Sequence, residues 1–175
     1  TKCNNLCLAG GVALNCVANS KILENRIFKN IWIQPASGDA GGAIGAALYG
    51  YYNNFNKKRV IKKTDSMNGS FLGPKFSNNE IKKVLDKLKV KYKFFDNDLL
   101  FNNTIKLITQ GKTIGWFHDR MEFGPRALGH RSILGDPRSK KMQKIMNLKI
   151  KFRESFRPFA PSILENDSKE WFNLK

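Results

Sequence analysis

Short apolar runs alternate with glycine-rich turns in the first third of the chain. Leu6–Ala9 predicts a buried strand that ends at Gly10-Gly11, and the apolar spacing that follows predicts a helix from Val12 to about Glu24. A second strand is predicted at Ile31–Ile33, and another helix is predicted from Gly38 to Tyr52. Small residues crowd this last helix, which indicates that a neighbouring backbone or a ligand approaches it closely.

The remainder of the chain predicts a second set of helices and strands. Residues 53–70 lose periodicity and gain charge, as a linker does. Ser77-Asn78-Asn79-Glu80 is a capping box that opens an amphipathic helix, and Tyr92–Phe95 predicts a strand. A helix over Asp98–Thr109 and a strand over Thr113–Phe117 follow. Strands that alternate with helices predict an α/β (α+β) fold in both halves.

Composition narrows the class of protein. Hydrophobic residues make up 41% of the 175 residues, enough to bury a core. No apolar run approaches the roughly 20 residues that a membrane span needs, and the N-terminus lacks a signal-peptide pattern, so we expect a cytoplasmic protein without membrane contact. Three cysteines, Cys3, Cys7 and Cys16, do not form a disulfide or zinc framework, and we expect buried free thiols.

The net charge of +17 suggests an acidic partner but does not by itself favour nucleic acid. The 23 lysines are spread along the chain, whereas six of the eight arginines lie between residues 120 and 157. The guanidinium fork grips phosphate or carboxylate through two parallel bonds, which lysine cannot do. The sequence therefore predicts an anion site in this stretch, for a small acidic molecule or for nucleic acid. The clustered arginines are Arg120, Arg126, Arg131, Arg138, Arg153 and Arg157.

Two glycine-rich motifs in the first third have alternative interpretations. Gly10-Gly11, between a strand and a helix, could seat a phosphate on backbone N–H groups or could be a plain tight turn. Asp39 stands at the mouth of a glycine-rich helix, where it could be an N-cap or could coordinate a metal beside a nucleotide. Spacing alone leaves both alternatives open.

Two segments near the C-terminus interleave cations with apolar residues. They are Asp119–Ser132 and Asn147–Pro161. Each could be a solvated basic loop, but the apolar residues between the charges require packing, and we expect strand-like or irregular structure in the second segment. Two such segments could line one cavity with converging positive charge, which clamps phosphoryl groups and stabilises charge in a transition state.

Together these motifs resemble the carbamoyltransferase family. The resemblance is carried by Gly10-Gly11-Val12-Ala13-Leu14-Asn15 followed by Gly38-Asp39-Ala40-Gly41-Gly42-Ala43, then by Phe123–Gly129, Lys149–Lys151 and Phe156–Pro161. That family includes enzymes that carbamoylate tobramycin and cephalosporins, and nodulation carbamoyltransferases. The resemblance implies that residues 1–55 form the C-terminal part of a Kae1-like transfer domain, which has the actin/Hsp70-like ATPase fold. Residues 56–70 would be a linker, and residues 71–175 the first part of a YrdC-like carbamoyl-activating domain. We expect the chain to be a fragment of a longer enzyme.

The resemblance also implies roles for individual residues. Arg126, Lys151 and Arg157 would bind ATP and carbamoyl phosphate and carry the catalysis, with Arg120, Arg131 and Ser132 beside them. Gly10, Gly11 and Asn15 would line a nucleotide site. Asp39 would be one ligand of Fe²⁺ or another divalent metal, whose remaining ligands this chain lacks, since its only histidines are His118 and His130. Mg²⁺ would assist ATP.

The implied activity has two steps. Carbamoyl phosphate and ATP would form carbamoyl-adenylate in the second domain, and the carbamoyl group would then pass to a hydroxyl-bearing small-molecule or sugar acceptor in the first. An alternative is a basic RNA- or tRNA-binding module, for which Tyr92, Phe94 and Phe95 between lysines would be the stacking platform. A third possibility is a fragment that is inactive alone. The sequence does not identify the acceptor or the oligomeric state.

Overall fold

Two parallel strands and two helices form the first part of the computed structural model, which describes residues 2–173. Strand β1 (Asn5–Leu8) pairs with β2 (Asn30–Ile33), with Leu6 opposite Ile31 and Leu8 opposite Ile33. Because parallel neighbours require a crossover, helix α1 (Cys16–Glu24) lies between them in the chain, and α2 (Asp39–Tyr49) follows β2. The predicted strand–helix alternation is confirmed here.

The predicted first helix is wrong in its start. Gly11–Leu14 form a short 3-10 helix, and α1 begins only at Cys16. Between them Asn15 has an extended backbone, and its side-chain oxygen accepts a hydrogen bond from the N–H of Ala18 at 3.1 Å. Asparagine is a strong N-cap because it satisfies an otherwise unpaired helical N–H, so a new helix starts after it. The predicted end of α2 at Tyr52 also changes, since a π-helical turn over Gly50–Asn54 replaces the α-helix.

A second group of elements starts at Ser77. The predicted capping box is confirmed: the Ser77 hydroxyl accepts from the N–H of Glu80, and the Glu80 carboxylate accepts from the N–H of Ser77 at 2.8 Å. It opens α3 (Asn78–Lys87), and α4 (Asn97–Thr109) is capped by Asp96. The apolar sides of both helices stay largely exposed within the described residues.

An antiparallel pair completes the strands. Strand β3 (Ile114–Phe117) pairs with β4 (Arg131–Leu134), with Trp116 opposite Ser132. Helix α5 (Met142–Ile145) continues into a π-helical segment, Met146–Lys151. After an irregular stretch, a 3-10 turn at Glu165–Asp167 leads into α6 (Ser168–Trp171). None of the helices formed by residues 2–173 has the length and apolarity needed to cross a membrane.

The chain divides into two units. The first contains residues 1–76 and 118–130, and the second contains residues 77–117 and those from 131 onward. The buried apolar residues of the first are Ala13 and Ala36, and those of the second are Met142 and Met146. The connection between β3 and β4 thus belongs to the first unit, which the sequence did not predict.

Two local predictions fail for lack of a covering partner. Tyr92–Phe95 is not a strand, because none of the described residues forms a ladder with it. The Tyr92 hydroxyl instead bonds the Asp86 carboxylate at 3.0 Å, which raises the pKa of Tyr92. The cysteines are free, as expected, but exposed rather than buried. For Cys7, the cause is that the face of the two-stranded sheet it shares with Trp32 is uncovered.

Candidate functional site

A buried carboxylate holds the loop from Glu122 to His130, which we call the arginine loop. Glu122 is only 3% exposed, and its Oε1 accepts hydrogen bonds from the backbone N–H of Leu128 at 2.7 Å and of His130 at 2.9 Å. The N–H of His118 also donates to the carbonyl of His130 at 2.8 Å. The loop is therefore closed both at its base and from within.

Backbone bonds tie the start of the arginine loop to the segment after the linker. Met121 and the Gly73–Pro74 pair exchange two such bonds: the N–H of Gly73 donates to the carbonyl of Met121 at 2.9 Å, and the N–H of Met121 donates to Pro74 at 3.0 Å. The N–H of Phe123 donates to the carbonyl of buried Ser70 at 2.7 Å. These three backbone hydrogen bonds fix the start of the loop to residues 70–74.

Glycine is required where the arginine loop meets the residues before α2. Gly124 has φ of +109°, and a Cβ there would lie 2.8 Å from the Cβ of Ala36. Ala36 is fully buried and lies three residues before Asp39. A side chain at position 124 would thus meet both strain and a clash, and the loop reaches this contact only with glycine.

The ring of His130 packs inside the first unit. It stacks on Phe71 with ring centroids 3.8 Å apart, and the His118 ring meets it edge-on at 5.3 Å. Its Nδ1 lies 2.8 Å from the carbonyl oxygen of Arg120. Because a carbonyl only accepts, Nδ1 carries the proton in this contact. These contacts indicate a packing role for His130.

Arg126 is the exposed cation of the arginine loop. Within residues 2–173, no hydrogen bond or ion pair engages its guanidinium. The guanidinium of Arg120 is already hydrogen-bonded, since its Nη1 donates to the carbonyl of Gly73 at 2.7 Å. Nearby, Lys75 pairs with Asp119 at 2.5 Å and, chiefly through that hydrogen bond, lowers the pKa of Asp119. The guanidinium of Arg126 therefore remains available for an anion.

In the second unit, a buried amide organises the segment from Phe152 to Pro161, which we call the proline segment. Asn147 is fully buried; its Nδ2 donates to the carbonyls of Ser155 at 3.1 Å and Arg157 at 2.8 Å, and its Oδ1 accepts from Arg153 Nε at 2.7 Å. Gln143 adds bonds to the carbonyls of Phe156 and Arg157, each 3.1 Å long. Irregular backbone is thus fixed by side chains of the preceding helix.

The structure at the start of the segment Asn147–Pro161 differs from the prediction. Residues Met146–Lys151 are helical, whereas the sequence predicted strand-like or irregular structure from Asn147. The helix ends at Phe152, which adopts a left-handed conformation with φ of 49°. From there the chain is irregular, as expected around Pro158 and Pro161.

Several cations of the second unit already have partners. Arg153 lies over the ring of Phe159 at 4.9 Å in addition to its bond to Asn147. Arg138 bonds Asp136 through Nε and Nη2, and chiefly for that reason the pKa of Asp136 falls to about 2. These two arginines serve the fold.

The predicted binding residues of the second unit differ in their engagement. Arg157 Nε is 2.9 Å from Glu154 Oε2, and both side chains are about half exposed. Lys151 ends the π-helical segment, is exposed, and has no polar side-chain partner within residues 2–173. Arg131 and Ser132 lie on β4. Since Arg126 belongs to the first unit, a single pocket shared with Lys151 and Arg157 stays a prediction.

The predicted nucleotide residues lie around the turn after β1. Gly10 has φ of +94°, a conformation that favours glycine, and Gly11 starts the 3-10 helix. The phosphate seat would thus be a four-residue 3-10 helix, with α1 starting later than expected. The Asn15 side-chain oxygen is engaged in capping α1. Nucleotide binding by these residues stays a prediction.

Asp39 is not the N-cap that the sequence allowed. Gly38 occupies that position, and Asp39 is the first residue of α2, exposed to solvent, where a negative charge favours the helix dipole. Among residues 2–173, no three His, Cys, Asp or Glu side chains lie close enough to share a metal ion. Asp39 therefore offers one carboxylate, and the residues described do not make a metal site by themselves.

Comparison with known sequences identifies the family. The model of the carbamoyltransferase N-terminus matches residues 1–48, and that of the carbamoyltransferase C-terminus matches residues 105–175. The chain belongs to the carbamoyltransferase family. Its two matched regions include both glycine-rich motifs and both arginine-bearing segments.

Several curated relatives align along nearly the whole chain. An uncharacterized protein of Synechocystis is 56% identical over 97% of this chain and 28% of its own length. The nodulation protein NolO of Bradyrhizobium diazoefficiens is 39% identical over 99% of this chain and 31% of its own. Nodulation protein NolNO of Sinorhizobium fredii is 40% identical over 99% of this chain and 25% of its own. The chain thus spans about a quarter to a third of the length of these relatives.

Sequence reasoning missed Glu122 and Asn147, the two side chains that hold the cation-bearing segments. Glu122 is an acidic residue inside a strongly basic motif, and that sign reversal could have marked it as a partner of the loop itself. For Asn147, in a lysine-rich helix, no sequence signal separates it from the many other asparagines.

We expect Asn147→Ala to destabilise the second unit by about 2–4 kcal/mol, because the Ser155 carbonyl and the Arg153 Nε–H lose their buried partner, and the Arg157 carbonyl keeps only its bond to Gln143. Denaturant unfolding followed by tryptophan fluorescence measures this. Gln143→Ala is the control, since its bonds to the same segment are exposed, and we expect less than about 1 kcal/mol. Equal losses for the two variants would contradict a central role for Asn147.

Proposed function

We propose that this chain forms part of a longer ATP-dependent O-carbamoyltransferase that acts in the cytoplasm. Water first releases carbamate and phosphate from carbamoyl phosphate. A carbamate oxygen then attacks the α-phosphorus of ATP, which expels pyrophosphate and leaves carbamoyl-adenylate. An acceptor hydroxyl finally takes the carbamoyl group and loses its proton, and AMP departs. Membership of the carbamoyltransferase family supports the assignment of carbamoyl as the group that is transferred.

The observation that carries the first step is the unengaged guanidinium of Arg126 on a fixed loop. An attack on ATP brings two anions together, so the barrier falls when cations wait at the place where charge concentrates. The Arg126 guanidinium can bind phosphate without first breaking a hydrogen bond or ion pair, and the exposed ammonium of Lys151 has the same advantage. Arg157 would exchange its exposed pairing with Glu154 for a phosphate.

We assign Asp39 to the second step, the transfer of the carbamoyl group. Its carboxylate lies in the first turn of α2, close in sequence to Ala36, where the arginine loop packs. A divalent ion bound there would polarise the carbamoyl group, with its other ligands from outside this chain. ATP would bring Mg²⁺ to the activation step. The acceptor, a hydroxyl-bearing small molecule or sugar, stays open.

Replacing Arg126 by alanine in the full-length enzyme should abolish carbamoyl-phosphate-dependent ATP–pyrophosphate exchange, because a phosphate clamp is lost. Arg126→Lys should retain part of the activity, since it keeps the charge but not the fork. Incorporation of labelled pyrophosphate into ATP is the measurement. Arg59→Ala, another exposed arginine, is the control. Full exchange activity in Arg126→Ala would refute the role of this residue.

Asp39→Ala should spare carbamoyl-adenylate formation and block carbamoyl transfer, because Asp39 is assigned to the second step only. Pyrophosphate release reports the first step, and carbamoylated acceptor measured by mass spectrometry reports the second. Asp98→Ala removes the equivalent first-turn acid of α4 and serves as the matched control. A parallel loss of both steps would argue for a structural role of Asp39.

One observation favours the alternative of an RNA-binding module. A groove of about 460 Å³ in the second unit is lined by residues of α3 and by exposed aromatics beside lysines. Tyr92 is 42% exposed and Phe94 is 78% exposed, as stacking platforms for bases would be. Lys82 and Lys93 lie at the same groove.

A salt titration separates the two functions. If RNA binds along this groove, the logarithm of the affinity for single-stranded RNA should fall with the logarithm of salt by about 0.7 per phosphate neutralised, and Phe94→Ala should weaken binding. Phe55→Ala, another exposed aromatic, is the control. Under our proposal, binding is weak and equal in both variants; specific loss in Phe94→Ala would favour the RNA-binding function.

A further inference from the structure

The arginine loop directs two of its own backbone N–H groups inward. Those of Leu128 and His130 both point to the Glu122 carboxylate, at 2.7 and 2.9 Å. Phosphate-binding loops commonly present such groups to the ligand, because a concave run of N–H donors attracts an anion. In this loop an internal carboxylate occupies those two donors, so they are not available to an external anion.

Arg126 lies at the centre of the loop that these bonds close. Glu122 precedes Arg126 by four residues, and the two residues whose N–H groups bond the Glu122 carboxylate follow Arg126 by two and four residues. The bonds therefore close a ring of backbone around the guanidinium-bearing position. Gly124 and Gly129, with φ of +109° and +105°, allow the chain to reverse on either side.

We propose that Glu122 is a positioning residue for Arg126. Its buried carboxylate holds the loop in one conformation, and the guanidinium is thereby presented to the phosphates of the substrate. This inference rests on the proposed function, since Arg126 must bind substrate for its position to matter.

The bonding and the burial of Glu122 have a specific consequence. Bonds from backbone amides to a carboxylate are shorter and stronger than those to a neutral oxygen, so the loop is held tightly without contributing a free anion at the surface. At 3% exposure, Glu122 is also shielded from the substrate. It can thus orient Arg126 without competing with phosphate for it, as the exposed Glu154 would compete for Arg157.

The test compares Glu122→Ala with Glu122→Gln in the full-length enzyme. Hydrogen–deuterium exchange of the peptide that covers residues 122–130 reports whether the loop is held, independently of activity. The kcat and the KM for carbamoyl phosphate in ATP–pyrophosphate exchange report its consequence for substrate. Asp96→Ala, which removes a carboxylate–amide bond at the cap of α4, is the control for a general loss of stability.

We expect faster deuterium uptake in Glu122→Ala and a fall in kcat/KM of about 100-fold, the effect of a misplacement of about 1 Å at a catalytic group. Glu122→Gln should recover most of this, because its amide oxygen still accepts both N–H groups. In an Arg126→Lys background the Glu122→Ala change should have a much smaller effect, since the two residues act as one unit.

Three results would overturn the positioning role. They are unchanged uptake in Glu122→Ala, faster uptake with unchanged kinetics, and equal losses of kcat/KM in the presence and absence of Arg126. A wild-type enzyme without any carbamoyl-phosphate-dependent exchange would instead overturn the proposed function. The deuterium measurement still decides whether Glu122 holds the loop in that case, so the two failures are distinguishable.

Discussion

A carboxylate that is removed from water must find hydrogen-bond donors, and this requirement contributes to the conformation of the arginine loop. Glu122 is nearly inaccessible, and transfer of an unpaired charge to such a place is strongly unfavourable. The backbone of the loop supplies the donors, at Leu128 and His130. Only a backbone that turns back on itself can bring them to the carboxylate, and Gly124 and Gly129 provide the turns. The solvation of one residue thus adds to the backbone bonds that hold the loop from outside.

The proline segment shows the same principle with a neutral group. Asn147 is fully buried and binds both carbonyls and a guanidinium from the segment that follows it. In each unit, a buried polar side chain that precedes an irregular segment bonds its backbone. Regular secondary structure would satisfy those backbone groups but would present side chains at fixed periodic spacing. Irregular backbone held by side chains is free of that fixed spacing, at the cost of depending on one residue.

The sequence predicted the regular elements better than the contacts that hold the loops. The capping box at Ser77 depends on neighbours within a few residues, and the strands on either side of α1 each find the other as a partner; both predictions are confirmed. The start of α1 was wrong because a residue inside an apolar pattern, Asn15, caps a new helix. The strand at Tyr92–Phe95 was wrong because strand propensity forms a ladder only where a partner strand exists. The loop that contains Glu122 is bonded to a residue far away in the sequence, through the Phe123 N–H and the Ser70 carbonyl, and periodicity contains no trace of such a contact.

The distribution of partners explains why a net charge of +17 is a poor guide to the proposed anion site. Exposed charges act over about one Debye length, roughly 8 Å in physiological salt, so dispersed lysines contribute little at any one point. Arginines that already bond a carboxylate or an amide contribute little too, because an anion must displace that partner first. Arg138 and Arg153 are of this kind. Arg126, Lys149 and Lys151 lie on the segments that family resemblance marks, and no hydrogen bond or ion pair engages their side chains within residues 2–173. The proposed binding of phosphate thus depends on which cations the fold leaves unpaired, and not on how many the chain contains.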